Sequence, residues 1–159
     1  MFYNYIMSLY LVQHGMPVSK DIDPGRPLSP QGEKDISKMA ELMRTSDHTV
    51  SRVLHSGKMR AHQTAEILAE ALLISGEVEV IDGINPNDPV QYFSLRVQKF
   101  EDDTMIVGHL PFMAKMVSYL VTGNEDQAIV AYKPGSVICL QQDPEELWQI
   151  QWMLRPDTL

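Results

Sequence analysis

The chain has a single cysteine, Cys139, so no intramolecular disulfide can form, and its apolar neighbours mark it as a core thiol. That usage points to a reducing, cytoplasmic setting. Positive charge is scarce: 13 Lys and Arg against 21 Asp and Glu leave a formal net charge of −8, which excludes a broad basic face for nucleic acid or an anionic membrane. Any anion site must therefore be local. No apolar run approaches the length of a membrane span, and residues 1–7 lack the basic start and long apolar stretch of a signal peptide. Those residues read as a lead-in, either disordered or an added edge contact. Internal repeats, low-complexity tracts and long one-sign charge blocks are missing too. Residues 1–159, 44% of them hydrophobic, are expected to form one domain around one core. There is no Cys/His cluster, no acidic loop of calcium type and no pair of histidines spaced as ligands on one helix face, so neither a metal nor a cofactor is expected.

What is present is an alternation of strand and helix signals. Short Val-, Ile- and Leu-rich runs at Leu9–Val12, Arg52–His55, Val78–Ile81 and Thr104–Val107 predict strands lying inside a sheet. Helical periodicity fills the intervals Ser29–Met43, Lys58–Leu73, Asp88–Lys99 and Pro111–Val121. Ser29-Pro30 and Asp88-Pro89 read as a capping side chain before a proline at the first helical position, and Pro111 opens the fourth helix. Ser136–Leu140 and Trp148–Met153 flank the turn-forming Asp143-Pro144 and predict a closing hairpin. The fold class is therefore α/β, with three layers: a mostly parallel sheet between helices and an antiparallel strand pair at the end. Met39, Met43, Met59, Met113 and Met116 read as core packing.

In such sheets ligands bind beyond the carboxyl ends of the strands, which gives a rule for sorting polar residues. Two predicted strands run into Gln13-His14-Gly15 and Gly108-His109-Leu110, delivering a histidine each to that edge. A third runs through His55-Ser56-Gly57-Lys58-Met59-Arg60, which places Arg60 in the first turn of a helix, where unpaired N–H groups favour an anion. Arg26, in the loop Asp23-Pro24-Gly25-Arg26-Pro27, can fold over the same edge. On an acidic chain these residues form a phosphate-shaped constellation. Isolated His48, His55 and His62 read as ordinary surface or core side chains, and Lys58 as either a steering or a solubilising charge.

These residues, in the order Gln13-His14-Gly15, Arg26-Pro27-Leu28-Ser29-Pro30-Gln31-Gly32, Ser56 to Ala65 and Gly108-His109-Leu110-Pro111, resemble the histidine phosphatase (phosphoglycerate mutase-like) superfamily. Within it they are most similar to the short bacterial phosphohistidine phosphatases of the SixA type. The resemblance runs from Leu9 to Pro156. It implies that His14 is a nucleophile that becomes transiently phosphorylated, that Arg26 and Arg60 grip the phosphoryl oxygens with Gln13 and Gly15 lining the same site, and that His109 supports the transferring group. Larger relatives use a carboxylate as general acid in the segment that here starts at Ile81, and Asp82 is the candidate. The family has Arg where this chain has Gln13, and often Pro where it has Gly57.

The physical reading of the residues agrees with these roles. A nucleophilic imidazole must be neutral with one nitrogen free, so the other N–H needs an acceptor such as a backbone carbonyl. Phosphoryl transfer rests on positioning and charge stabilisation, which guanidinium forks supply. Replacing a charged donor by the amide of Gln13 could cost about 2.7–4 kcal/mol of transition-state stabilisation. The short stretch between Ile81 and Thr104 leaves no room for a helical lid, so the site is expected to be open, which suits a phosphorylated side chain on a partner protein. Three functions follow: a phosphatase of phosphohistidine on a partner protein, releasing inorganic phosphate; a phosphatase of small phosphoesters; and a non-enzymatic phosphate-binding relative disabled by Gln13. Nucleic acid and membrane are not expected partners.

Overall fold

The structure is a computed structural model and describes residues 5–159. Residues 1–4 of the expected lead-in lie outside the described residues. Met7 packs against the core, and the next residue is anchored by the Ser8 N–H, which donates to Asp103 Oδ1 at 2.7 Å.

Six strands form one sheet: β1 (Leu9–Gln13), β2 (Arg52–His55), β3 (Glu79–Val80), β4 (Thr104–Gly108), β5 (Val137–Gln142) and β6 (Trp148–Leu154), in the order β3-β2-β4-β1-β5-β6. The first four are mutually parallel, β5 runs antiparallel to β1, and β6 closes as a hairpin on β5, as the Asp143-Pro144 turn predicts. Four helices intervene: α1 (Pro30–Thr45), α2 (Met59–Leu72), α3 (Val90–Val97) and α4 (Phe112–Thr122). β1 and β4 are buried along their whole length, so their apolar side chains alternate between two cores. Tyr10, Val12, Met105 and Val107 face Ile36, Met39 and Leu68 of α1 and α2. Leu9, Leu11 and Ile106 face Phe93, Met113 and Val117 of α3 and α4. Cys139 is buried as a free thiol in the first of these cores. No helix among the described residues is long and apolar enough to cross a membrane.

Ser29 caps α1 as expected, its Oγ accepting the Gly32 N–H at 3.0 Å ahead of Pro30. Four expectations need correction. The third strand lies at the sheet edge, two residues long and exposed, because only β2 pairs with it. Asp88 does not cap α3: its carboxylate turns back to accept the Asn85 N–H at 2.8 Å, and Pro89 takes the cap position with no side-chain bond. Pro111 likewise sits at the cap of α4, which starts at Phe112. Met59 is exposed rather than in the core, since the first turn of α2 opens toward solvent.

The register of the parallel strands positions the site. Gln13 pairs with Gly108, so His14 and His109 leave adjacent strands side by side. His55 pairs with Val107 on the other flank of β4, so Ser56 emerges beside His109.

Candidate active site

His14 is nine-tenths buried, and its Nδ1 donates to its neighbour's carbonyl, Gly15 O, at 2.7 Å. That bond fixes the proton on Nδ1 and leaves Nε2 as the lone-pair nitrogen, the arrangement a nucleophilic imidazole requires. Burial lowers its pKa from 6.5 to about 4; the Gly15 bond opposes this, and the charges of Arg60 and Arg26 add to the depression. The backbone is held on both sides. The His14 N–H donates to Gly108 O at 3.0 Å, and the Gly15 N–H to Thr64 Oγ1 at 3.0 Å. Gly15 has no room for a side chain, since a Cβ there would stand 2.9 Å from Ile36 Cγ1 and 3.1 Å from Leu28 Cδ2.

The His109 ring lies 5.0 Å from that of His14, centroid to centroid, at an interplanar angle of 54°. It is buried, and that burial first, then His14, Arg60 and Lys58, lowers its pKa to about 3. Both imidazoles are therefore neutral at pH 7. Nε2 of His109 lies 2.6 Å from Ser56 Oγ.

Arg60 stands in the first turn of α2, as the sequence predicts, and its pKa is lowered by burial and by the nearby charge of Arg26. Arg26 occupies a left-handed conformation, φ 46°, rarely adopted outside glycine. Its loop is fastened to hold it there: Val18 N–H donates to Pro27 O at 2.9 Å, and Leu28 N–H donates to Gln63 Oε1 at 2.7 Å. Arg26 itself donates from Nε to Val18 O at 3.4 Å. The structure thus brings His14, Gly15, His109, Arg26 and Arg60 to the carboxyl edge of the sheet. Gln13 joins them as the buried last residue of β1.

Asp82 is not brought in. Its side chain is 93% exposed and pairs with Arg96 of α3, whose Nη1 donates to Asp82 Oδ1 at 2.8 Å and to Asp82 O at 2.9 Å. No carboxylate is among the groups that shift either site histidine. Conversely, the sequence reading assigned no role to Ser56, Gln63 or Thr64. Thr64 is fully buried and donates to Arg60 O at 2.8 Å while accepting from Gly15, so one hydroxyl ties α2 to the His14 turn. The signal available was its position four residues after Arg60, on the same helical face.

Among the described residues, the buried side-chain atoms without a hydrogen-bond partner are Gln13 Oε1, Arg60 Nε and His109 Nδ1. Each such atom costs about 1–3 kcal/mol, and all three belong to this one site. Together with the two guanidinium groups and a helix N-terminus, the arrangement suits a tetrahedral oxyanion beside a neutral nucleophilic nitrogen.

Comparison with known proteins finds relatives in sequence and in fold. The model of the histidine phosphatase superfamily (branch 1) matches residues 9–85. The phosphohistidine phosphatase SixA of Escherichia coli K12 is 26% identical over 158 residues, 96% of each chain. A solved structure of the protein histidine phosphatase SixA complexed with tungstate superposes with a TM-score of 0.83 at 22% identity, covering 96% of this chain and 99% of that one. The alpha-ribazole phosphatase of Shigella flexneri has the same fold, with a TM-score of 0.74 at 15% identity over 94% of this chain and 97% of that one.

Proposed function

Since the chain belongs to the histidine phosphatase superfamily, we propose that it removes the phosphoryl group from phosphohistidine on a partner protein through a phosphorylated His14. The observation that carries this reading is the His14–Gly15 hydrogen bond, which leaves a neutral nucleophilic Nε2 beside Arg26 and Arg60. In the first step the Nε2 lone pair attacks phosphorus as the bond from phosphorus to the substrate imidazole breaks. In the second, a water oxygen attacks the phosphoryl group on His14. Inorganic phosphate leaves, the water's proton goes to solvent or phosphate, and Nε2 regains its lone pair. Arg26 and Arg60 bear the charge on the phosphoryl oxygens, and His109 donates a hydrogen bond to them. Tungstate, present in the similar SixA structure, is an oxyanion of the same shape as the phosphate this site would hold.

The engagement of Asp82 by Arg96 favours phosphohistidine over a phosphoester. An alkoxide leaving group needs a proton from a nearby acid, whereas an imidazole protonated on its second nitrogen departs neutral. The whole chain, residues 1–159, is read as one catalytic domain that needs no cofactor, working in the cytoplasm. The test is to incubate the protein with a phosphohistidine-containing protein and, separately, an aryl phosphate, measuring phosphate release and phosphate on His14. Release from the phosphoprotein with labelling of His14 is expected. Equal preference for the aryl phosphate would make it a phosphatase of small phosphoesters. Anion binding without release would make it a phosphate-binding relative, the reading that the amide of Gln13 favours.

A further inference from the structure

We propose that Ser56 is a positioning residue that holds the single ring proton of His109 on Nδ1. The inference rests on the reading above, in which His109 donates to the phosphoryl group, and it identifies what makes that donation possible. Ser56 follows directly from β2, next to β4, and its Oγ lies 2.6 Å from His109 Nε2. The same oxygen accepts the backbone N–H of Lys58 at 3.4 Å, which occupies one of its lone pairs and leaves its own proton to be given to the ring nitrogen. Nε2 is then an acceptor. A neutral imidazole carries one N–H, which must sit on Nδ1, and His109 is kept neutral by burial and by the neighbouring His14, Arg60 and Lys58.

That placement matters because phosphoryl oxygens only accept hydrogen bonds. Nδ1 is the ring nitrogen of His109 without a partner in the described chain. With its proton, it donates to a phosphoryl oxygen; without it, two lone pairs would face each other. The turn carrying Ser56 is built to keep this geometry. Gly57 adopts φ 91° and its N–H donates to His55 Nδ1 at 3.1 Å, a bond that a proline at 57 could not make. The departure from the family at position 57 thus replaces one restraint on the turn with another.

The experiment compares the full-length protein with Ser56→Ala and Ser56→Thr. It reads ¹⁵N shifts of the His109 imidazole at neutral pH, and kcat and KM on a phosphohistidine protein. The parent is expected to show the proton on Nδ1, Ser56→Ala a mixture of tautomers with kcat lowered roughly tenfold and KM little changed, and Ser56→Thr a return toward both parental values. A parent ring protonated on Nε2, or a Ser56→Ala protein with the parental tautomer and kcat, would overturn the proposal. Absence of turnover by the parent would overturn the phosphatase reading alone, because the tautomer is read without substrate.

Discussion

Gly32, in the first turn of α1, lies directly against the carbonyl group of Met16, so that a Cβ at position 32 would collide with backbone atoms. Met16 also accepts the N–H and the hydroxyl of Ser29, each at 2.9 Å, and it follows the His14-Gly15 turn. The contact therefore joins the end of the Arg26 loop to the segment that carries His14. Gly32→Ala is expected to destabilise the protein by about 3 kcal/mol, since backbone cannot yield as a side-chain tip can. Urea unfolding would measure it. A variant as stable as the parent would show that the two segments separate at little cost.

Gln13→Arg is expected to raise the hydrolysis rate by roughly tenfold to 1,000-fold, by adding a charge-assisted donor to the phosphoryl group. Gln13 stands at the carboxyl end of a fully buried strand, directly before His14, which is where the longer side chain would reach the phosphoryl group. Steady-state rates on a phosphohistidine protein decide the matter. A folded variant with an unchanged rate would remove position 13 from the phosphoryl contacts.

The alternation of strand and helix was legible because it is written in local periodicity and in turn and cap residues such as Ser29-Pro30. The convergence of His14 and His109 was legible because both follow apolar runs, and the sheet brings such ends to one edge. What was hidden depends on partners distant in sequence. The edge position of β3 follows from pairing with β2 alone, and Asp82 is captured by Arg96 from the next helix. Thr64 and Gly15 meet across 49 positions, and Ser56 meets His109 across 53. Hydroxyl groups on a helix face or in a turn carry no mark of such meetings.

In the proposed reaction the two histidines have unequal tasks although their rings lie 5.0 Å apart. His14→Ala is expected to abolish both turnover and phosphoenzyme, since the bond to phosphorus is proposed to form at His14 Nε2, the nitrogen its Nδ1–Gly15 bond leaves free. His109→Ala should slow the reaction by roughly 100- to 1,000-fold yet still permit slow labelling of His14. Acid-labile, base-stable phosphate on the second variant and none on the first is the expected pattern. The opposite pattern would exchange the roles.

The lowered pKa values make the fold sensitive to acid. His14 titrates near pH 4 and His109 near pH 3 when folded, against 6.5 for an ordinary histidine. Between those values the unfolded chain binds more protons than the folded one, so stability falls as pH drops through the window. The penalty is absent above pH about 6.5 and complete only below the folded values. For His14 alone the shift corresponds to a loss on the order of 3 kcal/mol, and His109, whose shift is larger and includes the repulsion of His14, adds at least as much below its own folded value. Urea unfolding near pH 7 and near pH 4.5 should show the parent losing more stability than a His14→Gln, His109→Gln double variant, by roughly 4–5 kcal/mol. Equal losses would mean that the histidines are hydrated in the folded state. Saturating phosphate should narrow the parent's loss, because an anion between the rings favours their protonated forms and offsets the charges of Arg26 and Arg60 that disfavour them. The same addition should do little for the double variant, which has no imidazole at the site to protonate.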